Sequence, residues 1–195
     1  MFKVVIVVNN MNKSIMNQQS IVIGGGCFWC TEAVFQDLQG VISVESGYSG
    51  GTPENAHYRA VCSGMTKHAE VIKVNYDADV LPLEDILEVH FFTHNPTTLN
   101  QQGADRGPQY RSVIFYANEA EKSIAKKAIA EVAPTMWEDP IVTTLEPLER
   151  FYLAENYHQS YYNKMATRNP YCEVVITPKV AKFRAKYADR LQVRS

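Results

Sequence analysis

Three consecutive glycines stand between an apolar run and a segment of helical spacing, and few backbone paths accommodate that order. Ile21-Val22-Ile23 leads into Gly24-Gly25-Gly26, and Cys27-Phe28-Trp29-Cys30 follows at once. From Cys27 to Leu38 the positions of Trp29, Ala33, Val34 and Leu38 fit one face of a helix, with Gly40 placed to stop it. The chain therefore runs strand, glycine turn, helix, with a cysteine at the turn. Free N–H groups at a helix N-terminus stabilise an anion, and the glycines let backbone and ligand approach closely. A thiol placed there is expected to ionise more readily than a free cysteine. Cys27 is the first candidate for chemistry.

The rest of the chain supplies a sheet around that turn. Val41–Glu45 reads as a strand. Glu70–Tyr76 alternates as one, with Ile72, Val74 and Tyr76 on one face and Lys73 and Asn75 on the other. Pro82 precedes a helix over Leu83–His94 that turns Ile86, Leu87 and Phe91 inward. Arg111–Ala117 is a further strand, and Asn118 and Glu121 have the spacing of an N-cap and its reciprocal partner, opening a helix to about Ala133. Ile141–Leu145 and Glu173–Ile176 read as strands, and Val180–Leu191 as a basic amphipathic helix.

The core order β-α-β-β-α-β predicts an α+β fold: a single two-layer domain on a split β-α-β, ferredoxin-like core with a mixed sheet. The domain is expected to span residues 21–195, with its core over about 21–150. The aromatic-rich tail over about 151–195 is expected to wrap that core. Residues 1–20 are expected to be a poorly ordered extension. Two long loops, Gly47–Ala69 and Asn95–Tyr110, approach the length at which a loop in a compact domain is commonly functional.

Composition narrows the function classes. The chain has 195 residues, 46% hydrophobic and 21% charged, with a net charge of −2. That is enough apolar content for a core and excludes a disordered chain. The balance of 19 Lys+Arg against 21 Asp+Glu argues against a nucleic-acid or polybasic membrane binder. No apolar run approaches the roughly 18 residues of a transmembrane helix. The start, MFKVVIVV, has one lysine and a very short apolar run with no small-residue cleavage site after it, so no export signal is read. A cytoplasmic location follows, where thiols stay reduced. Four cysteines are too few for a disulfide scaffold, so each needs its own reason.

Cys27 and Cys30 form a C-x-x-C pair on the first helical turn, a spacing compatible with a disulfide and hence with thiol–disulfide exchange. Zinc would need a second, regularly spaced ligand pair, and Cys62 and Cys172 lie far apart. Phe28 and Trp29 are either core aromatics or walls of a small apolar pocket suited to a methyl or thioether group. Glu70 shares the strand parity of Ile72, Val74 and Tyr76, so its carboxyl faces the apolar side unless it swings out at the strand end. On the apolar side desolvation favours the protonated acid, a proton donor near neutral pH. His68 is a candidate to orient it. Asp105 is either a turn former or an acceptor for a substrate backbone N–H. Tyr58 and Tyr110 are loop tyrosines whose hydroxyls are able to donate to an oxygen gaining negative charge.

These pieces together resemble the peptide methionine sulfoxide reductase A family. The matching stretches are GCFW from Gly26, GYSGG from Gly47, CSGMTKHAE from Cys62, HNPT from His94, NQQGADRGPQYRS from Asn100 and FYLAENYHQSYY from Phe151. The resemblance runs from about Ile21 to Cys172. It implies that Cys27 attacks the sulfoxide sulfur, that Glu70 protonates the sulfoxide oxygen and that Tyr58 and Tyr110 hydrogen-bond there. Phe28 and Trp29 would receive the S-methyl group, and Asp105, with His68, would hold the substrate. Cys27 is left as a sulfenic acid, which condenses with a second thiol. Thioredoxin, or dithiothreitol in vitro, then reduces the disulfide.

The resemblance further implies action on the S epimer, free or in proteins, as a repair of oxidised proteins. It implies no metal or bound cofactor; the charge balance leaves no nucleic-acid or membrane partner expected, and the protein is expected to be a monomer. The chain departs from the common pattern at Lys67, where the family often has Gly, and at Cys30, where many members have Gly. Its tail also lacks a Gly-rich segment with paired cysteines. The resolving thiol is thus open between Cys30, which has the spacing, and Cys172, near the family's usual C-terminal position. Cys62 reads as a packing residue. Two other readings are a thioredoxin-like thiol–disulfide oxidoreductase and a non-enzymatic peptide-binding module. The first is weakened because Cys27-Phe28-Trp29-Cys30 lacks the usual Gly-Pro.

Overall fold

A computed structural model of the chain describes residues 17–192. The apolar start and most of the expected extension lie outside the described residues. The first strand, β1, is Gln18–Gly24, so Gln18–Ser20 belong to the sheet rather than to an extension. The apolar run marked only the buried half of β1; its polar half pairs through the backbone with Asp77, Tyr76 and Asn75.

Helix α1 (Phe28–Phe35) follows the glycine turn, then β2 (Val41–Ser49). The first long loop is shorter than expected, because β2 runs on to Ser49 and a short helix α2 (Tyr58–Cys62) forms before β3 (Ala69–Asp77). Next come α3 (Leu83–Thr93) and a two-residue hairpin, β4 (Gln101–Gln102) with β5 (Asp105–Arg106). A 3-10 turn at Pro108–Tyr110 leads into β6 (Val113–Tyr116). Helix α4 (Glu119–Lys127) is capped reciprocally as its sequence predicts. Asn118 accepts from the Glu121 N–H at 2.9 Å, and Glu121 accepts from the Ala117 N–H at 2.7 Å. The remaining elements are β7 (Thr144–Pro147), β8 (Phe151–Leu153), α5 (Tyr161–Met165) and α6 (Thr177–Lys186).

Six strands form one mixed sheet in the order β7-β6-β1-β3-β2-β8. Every pair is antiparallel except β6 with β7. Ile21, Ile23, Ile72, Val74 and Ile114 face a core shared with Val34 and Phe35 of α1, Ile86, Leu87 and Phe91 of α3, and Val180 and Phe183 of α6. Each such side chain contributes about 1.5–3 kcal/mol on burial. The opposite face carries a smaller cluster of Val22, Val71, Val113 and Phe115 under Leu148 and Phe151. The protein is thus a mixed α+β domain.

The tail differs from its expected outline. Cys172–Ile176 is a wide helical stretch running into α6, not a strand. The run Val174-Val175-Ile176 suggested a strand by its β-branching, but the buried positions are Cys172, Ile176, Val180 and Phe183, a helical spacing. The last helix also starts and stops earlier than expected, over Thr177–Lys186. The tail lies against α1. Glu32 accepts from the Ser160 and Tyr161 N–H groups at 2.8 and 3.0 Å, and Arg184 bonds Asp37 at 2.7 Å.

None of the three glycines leaves room for a side chain. Gly26 has φ +94°, and a Cβ on Gly25 would meet the His94 ring at 2.7 Å. The α1 N-terminus reaches its place only because no side chain stands there.

Candidate active site

Cys27 is the residue that caps α1, and its carbonyl accepts the Cys30 N–H at 3.0 Å. Glu70 sits on the β3 face that the parity argument assigned to it and is 2% exposed. Its Oε2 accepts the N–H of Phe28, the first residue of α1, at 3.1 Å. The glycine turn thus brings the thiol and the carboxyl to one end of one helix.

A cavity of about 80 Å³ opens there, lined by Cys27, Phe28, Trp29, Tyr58, Glu70, Asp105, Tyr110 and Tyr171. It has room for a few heavy atoms. A larger space, about 290 Å³ beside Trp137, Lys179 and Lys182, contains none of the expected residues. Seven residues singled out from sequence therefore meet, from the turn, α1, α2, β3, the β4–β5 hairpin and the 3-10 turn before β6. Tyr58 begins α2 instead of lying in a loop; its N–H donates to Glu155 Oε1 at 2.9 Å.

His68 does not join them. It is buried with Nε2 2.9 Å from the Thr52 carbonyl, and its ring packs at Gly51 and edge-on to Tyr152. It anchors the loop after β2 and does not line the cavity.

Four residues of the tail belong to the site and were not singled out from sequence. Glu155 also accepts from the Tyr48 hydroxyl at 2.9 Å, so it ties α2 to β2. His158 Nδ1 accepts from the Trp29 indole N–H at 3.0 Å. Tyr161 stacks on Trp29 at 3.8 Å. Tyr171 lies edge-on to Trp29, and its hydroxyl donates to Asp105 Oδ2 at 2.9 Å. The density of aromatics in this tail was the signal available, but it does not say which ring faces the thiol.

Burial dominates the electrostatics. It raises the Glu70 carboxyl to about 8, against the Phe28 N–H, which lowers it. Burial also pushes the Cys27 thiol well above its ordinary value, helped by its hydrogen bond to Cys30 and the nearby Glu70. The expectation of an easily ionised Cys27 therefore fails: the apolar walls outweigh the helix N-terminus. Cys30 shifts the other way, through the hydrogen bond from Cys27 and the charge of Lys179. Cys172 is fully buried, and its thiol is raised by burial and by the neighbouring Cys30. Tyr58 and Tyr110 keep their protons, since burial raises both.

Chemically, the cavity offers a sulfur nucleophile, a neutral acid, two phenolic donors and aromatic walls. This set suits a ligand with a soft electrophilic atom, a polar oxygen on it and a small apolar group. Among the described residues no three His, Cys, Asp or Glu side chains are placed to hold a metal ion.

A family model described as peptide methionine sulfoxide reductase matches residues 19–191. The chain is 48% identical over 178 residues to peptide methionine sulfoxide reductase MsrA 1 of Rhodopirellula baltica, covering 90% of each. It is 48% identical over 176 residues to the MsrA of Deinococcus radiodurans, covering 90% of this chain and 85% of that one. Among solved structures, reduced Mxr1 from Saccharomyces cerevisiae matches with a TM-score of 0.71 at 34% identity, over 78% of this chain and 88% of that one. Methionine sulfoxide reductase A of Corynebacterium diphtheriae matches with a TM-score of 0.67 at 31% identity, over 76% and 75%.

Proposed function

The chain belongs to the peptide methionine sulfoxide reductase family, and from that premise we propose how its residues divide the reduction of methionine sulfoxide. The protein is a thiol-dependent oxidoreductase for that substrate. The observation that carries the division of roles is the convergence of Cys27 and the buried Glu70 carboxyl, raised to about 8 by desolvation, on one small aromatic-walled cavity. The S-methyl group enters between Phe28 and Trp29, and Asp105 accepts a backbone N–H of the substrate. Tyr58 and Tyr110 donate to the sulfoxide oxygen. Cys27 attacks as the thiolate while Glu70 gives its proton to that oxygen. The S–O bond of the substrate breaks, methionine leaves, and Cys27 carries the hydroxyl as a sulfenic acid.

Substrate sharpens this arrangement. A bound sulfoxide fills the cavity and accepts the Glu70 proton; the carboxylate left behind keeps the Phe28 N–H and takes up the proton that Cys27 loses as it becomes the thiolate. The expected substrate is the S epimer, free or in proteins. The test is incubation with each epimer and dithiothreitol: turnover of the S epimer is the expected result, and its absence overturns the reading.

We read Cys30 as the second thiol. It is one helical turn from Cys27 and hydrogen-bonded to it, whereas Cys172 neighbours Cys30 and is held in a helical stretch. One equivalent of substrate without reductant is expected to give a Cys27–Cys30 bridge by peptide mass spectrometry. A Cys27–Cys172 bridge would reverse the choice. Thioredoxin then restores both thiols by exchange. The same reading takes the order β6-β1-β3-β2, with α1 and α3 as crossovers, as a split β-α-β core wrapped by the tail. It also places the enzyme, as a monomer, in the reducing cytoplasm.

A further inference from the structure

We propose that Tyr171 is a positioning residue for the second thiol, its single phenolic proton being shared between Asp105 and Cys30 and turned onto Cys30 when that sulfur attacks. The proposal rests on the reading of Cys30 as the resolving thiol. The Tyr171 oxygen is 2.9 Å from Asp105 Oδ2 and 3.8 Å from Cys30 Sγ. A phenol has one O–H, so it donates either to Asp105 or to a Cys30 thiolate, and while it is on Asp105 the Cys30 thiol is the group able to donate to the phenol oxygen. The side chain is fixed for this. Its backbone N–H is held by Asn169 Oδ1 at 2.9 Å, and its ring stands edge-on to Trp29 at 74°.

Cys30 needs such a donor. It is 2% exposed, so water does not solvate a thiolate there, and neighbouring groups must. Those acting on it are Cys27, Tyr171 and Lys179, which favour the thiolate, and Asp105, which opposes it, as Glu70 and Cys172 do only once ionised. At rest the phenol proton is spent on Asp105. After methionine has left, the phenol turns from Asp105 to the Cys30 sulfur as Cys30 gives up its own proton. Once Cys27 has become a neutral sulfenic acid, no negative charge on Cys27 competes with Cys30. The Cys30 sulfur then attacks the Cys27 sulfur. An S–S bond forms, the Cys27 S–O bond breaks, and the hydroxyl departs as water with the Cys30 proton. Cys30 is oxidised and the sulfenic sulfur is reduced to the disulfide level.

The test is a single turnover of Tyr171→Phe without reductant, following methionine release and Cys27–Cys30 disulfide formation separately. At about pH 7, disulfide formation is expected to slow about tenfold relative to methionine release, with the Cys27 sulfenic acid trapped by dimedone. When methionine is released at about pH 7 and the protein is then jumped to about pH 9.5, the gap is expected to close, because Cys30 then ionises without the donor. A ratio unchanged at neutral pH, or a deficit equal at both pH values, overturns the proposal. So does a loss of both steps in parallel, which would leave Tyr171 serving Asp105 alone. A Cys27–Cys172 bridge in the unaltered protein removes the reading of Cys30 itself. A normal Cys27–Cys30 bridge with an unaffected variant removes only the role of Tyr171.

Discussion

Cys27→Ser is expected to abolish methionine sulfoxide reduction, a loss of at least about a thousandfold in kcat/KM. Serine suits the backbone position well, because Cys27 caps α1 and a hydroxyl is among the preferred capping groups. The fold should therefore survive, and melting temperatures of the two proteins should agree closely. The chemistry should not survive. A hydroxyl at this site is almost wholly protonated near neutral pH and is a poor nucleophile toward sulfur. It also has no counterpart to a sulfenic acid, so it cannot take up the oxygen that methionine loses. A folded serine variant with more than about a thousandth of the original kcat/KM would remove Cys27 from the reaction. Full retention would favour a peptide-binding role for the aromatic tail. Substrate binding by the variant, read by tryptophan fluorescence from Trp29, should persist, since Phe28, Trp29 and Asp105 are untouched.

The parts of the site that were legible in the sequence are those set by local geometry. The glycine turn placed Cys27 at a helix start from adjacent residues alone. Two-residue alternation in β3 placed the Glu70 carboxyl on the apolar face 42 residues from the Phe28 N–H it meets. The same two-residue rule says nothing about where a ring at a strand's start turns, and His68 turns to the Thr52 carbonyl instead. Contacts from the tail were not legible. Trp29 and His158 are 129 residues apart, and Cys30 and Tyr171 are 141 apart. Nothing in either segment marks the other. The ionisation of Cys27 was misjudged for a related reason. A helix N-terminus is visible in sequence, whereas desolvation by Phe28, Trp29, Tyr58 and Tyr171 is a property of the assembled cavity. The Glu173–Ile176 segment shows propensity overridden: Val174 is 72% exposed, so its branching serves no sheet.

Glu70→Gln should separate the acid from the nucleophile. The amide keeps the size of the side chain and an oxygen to accept the Phe28 N–H, but it has no acidic proton. The rate of methionine release is expected to fall about 10²–10⁴-fold, with the larger part in kcat. The pH profile should change shape as well. In the unaltered protein Glu70 must be protonated to act, and its carboxyl is raised to about 8. Activity is therefore sustained by Glu70 below that pH and lost above it, while the need for a Cys27 thiolate pulls the other way at low pH. The glutamine variant should keep only the rising limb. Stability gives an independent reading with the same sign. A carboxyl raised from 4.5 to about 8 in the folded state holds its proton more tightly than in the unfolded chain. Its favourable contribution is complete below 4.5 and is lost as pH rises toward 8, by about 1.4 kcal/mol for each pH unit in between. Glutamine does not titrate, so the variant should gain stability relative to the unaltered protein between about pH 5 and pH 8. Urea unfolding at both pH values measures this. A stability difference flat across that interval would mean that Glu70 is ionised in the free enzyme, and the proton for the sulfoxide oxygen would have to come from another group.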